Sequence, residues 1–165
     1  MFEVTSKQEA RKVIVSLEEA MINTGEAFIG TGNDRYPLKH TFSEGIYVRE
    51  IFIPEGDLIV GQIHKHEHPN FLMSGTVKMF TEEGGSETIK GPCSMISSPG
   101  TKRSLFAETD LVWITVHNNP TNIKDIPTLE SSIAVSTYEE YDDYKNNKNT
   151  LTHRLRKRLI KILEV

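Results

Sequence analysis

Cysteine is nearly missing: Cys93 is the only one in 165 residues. No intrachain disulfide framework and no thiolate zinc cluster can therefore form, which fits a reducing compartment. Long apolar runs are missing too. Nothing approaches the ~20 residues of a membrane span, and no signal-peptide pattern opens the chain. The expectation is a soluble protein without a membrane partner, made and kept in a cytoplasm. Nor is there an excess of positive charge. A net charge of −4 argues against a general nucleic-acid binder, although charge can still be concentrated locally. Internal repeats and low-complexity tracts are absent. What is present, 37% hydrophobic and 25% charged residues over a length that buries a real core, describes one ordinary globular domain.

Residues 5 to 24 read as an amphipathic helix. Thr5 or Ser6 caps it, Val13, Leu17, Ala20 and Met21 make its apolar stripe, and Gly25 stops it. Residues 1 to 30 form this helix and a lead-in, and "GTGNDRYPL" carries loop chemistry. From there to residue 120 the text is β-rich. "GIYVREIFIPEGDLIVGQIHKH" holds two strands parted by a Pro-Glu-Gly turn, and "TVKMF" and "ETIKG" flank a hairpin turn. "CSMISSPGTKRSLFA" and "DLVWITVH" supply two or three more strands. Short strands with regular turns predict an antiparallel sandwich or barrel. Residues 121 to 165 form an extension: a short helix within "TNIKDIPTLESSIAV", an acidic stretch "STYEEYDDY", and a basic helix over "NTLTHRLRKRLIKILEV". That last helix spaces Leu151, Leu155, Leu159 and Ile162 helically, against Arg154, Arg156, Lys157, Arg158 and Lys161.

The chemistry concentrates in "GQIHKHEHPNFLMSG", where His64, His66 and His68 alternate with Lys65 and Glu67. On a straight strand Gln62, His64, His66 and His68 would share a face, but His64 and His68 would stand ~13 Å apart. That is too far for one ion held at ~2 Å from each nitrogen.

Gly56 is followed by five residues, Gln62-Ile63-His64, three residues, His68, six residues and Gly75. This spacing resembles the first motif of the cupin superfamily, with Gln62 in place of the first histidine and His68 in place of the glutamate. "SSPGTKRS" resembles the turn of the second cupin motif, with Gly100 in register and Arg103 where the last metal histidine would stand. The fifteen residues between Gly75 and Gly91 match a short inter-motif hairpin. The resemblance implies a jelly-roll β-barrel flanked by helices, and a bend that brings His68 back beside His64 with Gln62 inward and His66 on the turn. Pro69, unable to donate to a ladder, suits such an irregularity. Across residues 36 to 130, "VREIFIPEGDLIVGQIHKHEH" and "DLVWITVHNNPT" resemble small single-domain cupins of tailed bacteriophages.

Two imidazoles and an amide make a weak shell for one divalent transition metal. His117 is the candidate for a further nitrogen, because Trp113, Thr115 and His117 alternate on one strand face. Arg103 argues against a metal and for an anion, either carboxylate or phosphate. Two readings of the histidines stay open: a metal centre, or a hydrogen-bonded polar barrel interior without an ion. Cys93 reads as a small buried hydrophobe, His40 as a surface or strand-edge residue, and Glu67 as an exposed turn carboxylate or an acid–base group. The basic helix has three readings: docking on the barrel, contact with another subunit, or, least favoured, contact with nucleic acid or an acidic membrane. The expectation is a homo-oligomer whose interface includes Leu155 and Leu159.

Two functions compete. One is a non-catalytic structural or binding component of a phage, in the virion or in the infected host's cytoplasm, with virion proteins as partners. The other is a metal-dependent isomerase, hydrolase or dioxygenase acting on a small anionic substrate. The departures at Gln62, His68 and Arg103 favour the first.

Overall fold

The structure is a computed structural model that describes residues 6–83 and 85–163, with side chains up to residue 160. Thr5 and the side chains of Lys161 and Ile162 lie outside the described residues.

Helix α1 (Lys7–Asn23) begins at Ser6, whose hydroxyl accepts from the Glu9 amide. Past its end Gly25 has φ +73° and donates its amide to the Ile22 carbonyl, a helix stop that favours glycine. Its covered face differs from the expected stripe. Ala10 and Ile14 are buried and Leu17 and Met21 half-buried, while Val13 and Ala20 point to solvent. The apolar residues of this helix are numerous enough to fit more than one helical phase, and packing selects one.

Eleven strands follow among the described residues: β1 (Leu38–Ser43), β2 (Gly45–Ile53), β3 (Leu58–Val60), β4 (Ile63–His64), β5 (His68–Ser74), β6 (Thr76–Thr81), β7 (Gly85–Lys90), β8 (Cys93–Ser97), β9 (Arg103–Ala107), β10 (Leu111–Asn119) and β11 (Ala134–Val135). Their order is that of a long hairpin rolled up. β6 pairs β7, β5 pairs β8, β3 pairs β9 and β2 pairs β10, each antiparallel. Rolling then joins β10 to β5 and β9 to β6. Two main sheets result, β1-β2-β10-β5-β8 and β3-β9-β6-β7, the two-sheet arrangement of a jelly roll, beside a two-stranded β11-β4. The fold is thus mainly antiparallel β with helices at both ends, as the strand grammar predicts.

Both sheets contribute to one core. Ile53, Leu72, Leu111 and Trp113 from the first meet Val77, Met79, Leu105 and Ala107 from the second. Each fully buried side chain of this size contributes about 1.5–3 kcal/mol. Cys93 packs against this core as a free, half-buried thiol. Gly75 carries φ +93°, and a Cβ there would collide with the Asp110 carbonyl oxygen. Glycine is therefore required where β5 passes into β6.

After β10, helix α2 (Ile126–Ile133) is capped by Asp125. It lays Leu129 and Ile133 on Tyr47 of β2, and β11 then pairs with β4, Ala134 opposite His64. The extension is therefore built into the barrel's end. Helix α3 (Tyr138–Leu163) departs from expectation: the acidic stretch and the basic helix are one 26-residue helix. Its start is a capping box. The Glu140 carboxylate accepts from the Ser136 and Thr137 amides, and the Thr137 hydroxyl accepts from the Glu140 amide. Tyr141 is buried against the barrel and covers Gly100, while residues 145–160 are exposed on every side. The leucine stripe does not dock on its own barrel. No described helix is long and apolar enough to cross a membrane.

Candidate metal centre

β4 ends at His64, and the chain bends through residues 65–67 before β5 starts at His68. That bend cancels the separation a straight strand would impose. The two rings come to rest with centroids 4.1 Å apart, and His64 Nδ1 lies 2.7 Å from His68 Nε2. The bend precedes Pro69, which sits inside β5 opposite Ile96 of β8, beyond the stretch where β10 pairs with β5. On β10, alternation buries Trp113, Thr115 and His117 on one face, as expected. His117 thereby completes a triangle, its ring 5.0 Å from that of His64 and 4.7 Å from that of His68.

One ring nitrogen from each of these three histidines lies within 4.8 Å of the others. Gln62, expected to face inward with them, is exposed instead. It lies just before the two-residue β4, so strand alternation does not reach it. His66 is exposed on the bend, with its ring 6.0 Å from that of Tyr144. Glu67 is exposed as well. His40 sits on edge strand β1, half-buried, with Nδ1 2.7 Å from the Tyr47 hydroxyl.

A polar scaffold holds the rings. The His68 Nδ1–H is placed to donate to the His66 carbonyl oxygen at 3.1 Å, which leaves Nε2 facing the centre. Beneath it Asn70 accepts from the Trp113 indole N–H at 3.1 Å and donates to the Ser97 hydroxyl at 2.7 Å. The Ser97 hydroxyl also accepts from the Arg103 guanidinium, whose Cζ lies 5.8 Å from the centre of the Trp113 ring. Arg103 is thus drawn into the barrel interior beside the histidines. Sequence reading missed a second cation, Arg49 of β2. It donates through Nη2 to the Thr31 carbonyl oxygen at 2.9 Å, and its buried Nε has no partner among the described residues. A signal was present, because Tyr47, Arg49, Ile51 and Ile53 share one phase of an apolar strand.

His68 and His117 are only 2% and 5% exposed. Burial, foremost, and the neighbouring positive charges hold all three imidazoles neutral. His68 is pressed down to about 4 and His117 to about 3, with His64 further still. Burial also lowers the Arg103 guanidinium to about 10. Neutral, converging nitrogens are the form a divalent transition ion requires, and a three-nitrogen shell leaves positions open for a ligand. The donors fit such an ion, while the two guanidiniums oppose its charge. Outside the barrel a separate, open groove of about 530 Å³ runs between α3 and the bend, lined by Lys65, His66, Tyr141, Tyr144 and Lys148 among others.

No protein-family profile matches the chain, and no curated protein matches it. Solved structures similar to it include a cupin superfamily protein from Desulfitobacterium hafniense, at 4% identity and TM-score 0.44, covering 55% of this chain and 83% of that one. An RmlC-like cupin with a double-stranded β-helix fold from Methanocaldococcus jannaschii is similar at 13% identity and TM-score 0.45, covering 58% and 94%. KdgF from Halomonas is similar at 12% identity and TM-score 0.45, covering 58% and 91%. These likenesses concern the fold alone.

Proposed function

We propose that the protein is a cupin-type metal-binding protein that holds one divalent transition ion through His64, His68 and His117 and acts on a small anionic molecule. The observation that carries this reading is the convergence of three neutral imidazoles within 4.8 Å. A bound ion would supply Lewis-acid polarisation of a ligand oxygen. The chain's own residues do the rest. His66, through its carbonyl, orients His68. Ser97 and Trp113 hold Arg103 beside the rings. α2 and β11 close the barrel end over Tyr47 and His64. Isomerisation, hydrolysis and dioxygenation of an anion are the reaction classes such a centre supports. Elemental mass spectrometry of protein purified without added metal tests the reading. One ion per chain is expected at partial, exchangeable occupancy, and it should be lost in the H64A/H68A double variant while the fold survives. Full occupancy in that variant would move the site elsewhere.

A second reading, a non-catalytic assembly component of a tailed phage, finds its support in α3. Leu151, Leu155 and Leu159 are 59%, 57% and 58% exposed on a helix whose side chains from 145 to 160 are all exposed among the described residues. A lone helix of this kind is marginal in water. Its charges are segregated, with Glu139, Glu140, Asp142 and Asp143 near the start and Arg154, Arg156, Lys157 and Arg158 towards the end. Two copies laid antiparallel would join the stripes and set the acidic start of one against the basic end of the other. Light scattering on the wild type and an L155E/L159E variant tests this pairing. A wild type that is monomeric at all concentrations would refute it.

A further inference from the structure

The open groove between α3 and the bend lies outside the histidine cluster and has a charge of its own. Lys65 reaches it from the bend, and Lys145 and Lys148 from α3, against one carboxylate, Glu67. None of these three lysines takes part in an ion pair among the described residues. The pairs found there involve Lys7, Arg11, Arg35, Lys78 and Lys102 instead. Glu140, on which the charge of Lys65 acts, is committed to the Ser136 and Thr137 amides. On an open helix face such ammoniums are solvated and nothing more. Here they converge on one concave space of about 530 Å³, a volume within the range of small-molecule sites.

The walls of that space are fixed by the fold. The Gly100 amide donates to the His64 carbonyl at 2.8 Å, and the absence of a side chain at Gly100 lets Tyr141 close over the turn there. The Lys65 amide donates to the Ile133 carbonyl at 2.8 Å, and its ammonium donates to the Ser131 carbonyl at 2.5 Å. Two tyrosines then stand side by side on α3, Tyr141 and Tyr144, with ring centres 6.2 Å apart. The Lys65 ammonium lies 5.2 Å from the centre of the Tyr144 ring, and the His66 ring meets that ring edge-on at 6.0 Å. Asn118 and Asn149 add amides, which both donate and accept. Point charges, a half-buried aromatic ring and amides therefore share one groove.

We infer that this groove binds a nucleotide, with its phosphate on Lys145 and Lys148 and its base against Tyr144. An ammonium lacks the planar fork of arginine. It suits a phosphate, which offers charge in several directions, better than a flat carboxylate. A base answers the remaining lining: its planar face suits an aromatic ring, and its edge of donors and acceptors suits the amides. None of His64, His68 and His117 lines the groove, so the site does not depend on the metal reading above.

Isothermal titration with AMP, adenosine and inorganic phosphate tests the site. AMP is expected to bind at one site per chain, about tenfold or more tighter than adenosine or phosphate. K145A/K148A should weaken AMP by about tenfold or more and weaken phosphate with it. Both side chains are exposed, so that variant keeps the fold. Y144L should weaken AMP by about tenfold and leave phosphate unchanged. AMP binding should be the same in H64A/H68A, and its loss there would place the nucleotide at the metal centre and overturn the inference. So would the absence of saturable AMP binding, or AMP binding indifferent to K145A/K148A. Phosphate binding as tight as that of AMP overturns the role of Tyr144. A short oligothymidylate separates a strand from a free nucleotide. Tighter binding than AMP that K145A/K148A weakens makes a single strand the source of the nucleotide. Tighter binding that K145A/K148A leaves unchanged belongs to the arginines further along α3 and overturns the groove.

Discussion

Acid should unfold the metal-free protein well before carboxylates titrate. An unfolded imidazole has a pKa of about 6.5. In the fold, His68 and His117 are pressed to about 4 and about 3 by burial first and by neighbouring charges second, and His64 lies lower still. The folded values are depressed, so the unfolded chain takes up protons that the native one refuses. Stability is therefore complete above pH 6.5 and is lost as pH falls below it. Over the 1.5 units to pH 5, each imidazole costs about 2 kcal/mol at 1.36 kcal/mol per unit, or about 6 kcal/mol for three. A domain of ordinary stability holds only about 5–15 kcal/mol. Urea denaturation with a chelator present, at pH 7.5, 6.5, 5.5 and 5.0, reads the loss directly. A H68Q/H117Q variant should retain only about a third of that slope, because one of the three imidazoles remains. A urea midpoint constant between pH 7 and pH 5, or an unchanged slope in the variant, would refute the claim that the three rings are buried neutral.

Other consequences concern the scaffold. Lys102 is 2% exposed and donates to Glu18 at 2.6 Å and to the Ser136 carbonyl at 2.9 Å, tying α1 to the start of α3. K102A should cost about 2–4 kcal/mol in chemical denaturation, and a loss below 1 kcal/mol would deny that link. E140A removes the acceptor for two amides at the start of α3 and should cost about 1 kcal/mol, with reduced helical circular dichroism. G75A places a Cβ against the Asp110 carbonyl at φ +93°, and a destabilisation of about 2 kcal/mol or more is expected. Truncation after Asn149 should lower the oligomeric state in light scattering while β-sheet circular dichroism persists.

Local order was readable where it depends on nearest neighbours. Pro54-Glu55-Gly56 marks the turn between β2 and β3, Ser6 caps α1, and the inward phase of Trp113, Thr115 and His117 follows from alternation on a long strand. What failed depended on breaks and on distant partners. Alternation does not extend to Gln62, because the strand there is only two residues long. The tyrosines and carboxylates of the acidic stretch obscure its helical phase, so the pattern alone does not join it to α3. The signal overlooked was the Thr137–Glu140 capping box, followed by no glycine or proline through Leu163. Arg49 is a charge within an apolar strand, and only its shared phase with Tyr47 marks it as inward-facing. Glu130 carries no sequence signal, since only the packing of α2 over β2 brings its charge to Tyr47 and Arg49.

Titration of chelator-stripped protein with Co²⁺, followed by its visible absorption, bears most directly on the metal centre. The account predicts an absorption band that saturates at one equivalent per chain, is abolished in H64A/H68A and is strongly weakened in H117A, with unchanged far-UV circular dichroism in each variant. A spectrum that never saturates, or one that is the same in the wild type and in all histidine variants, would contradict it.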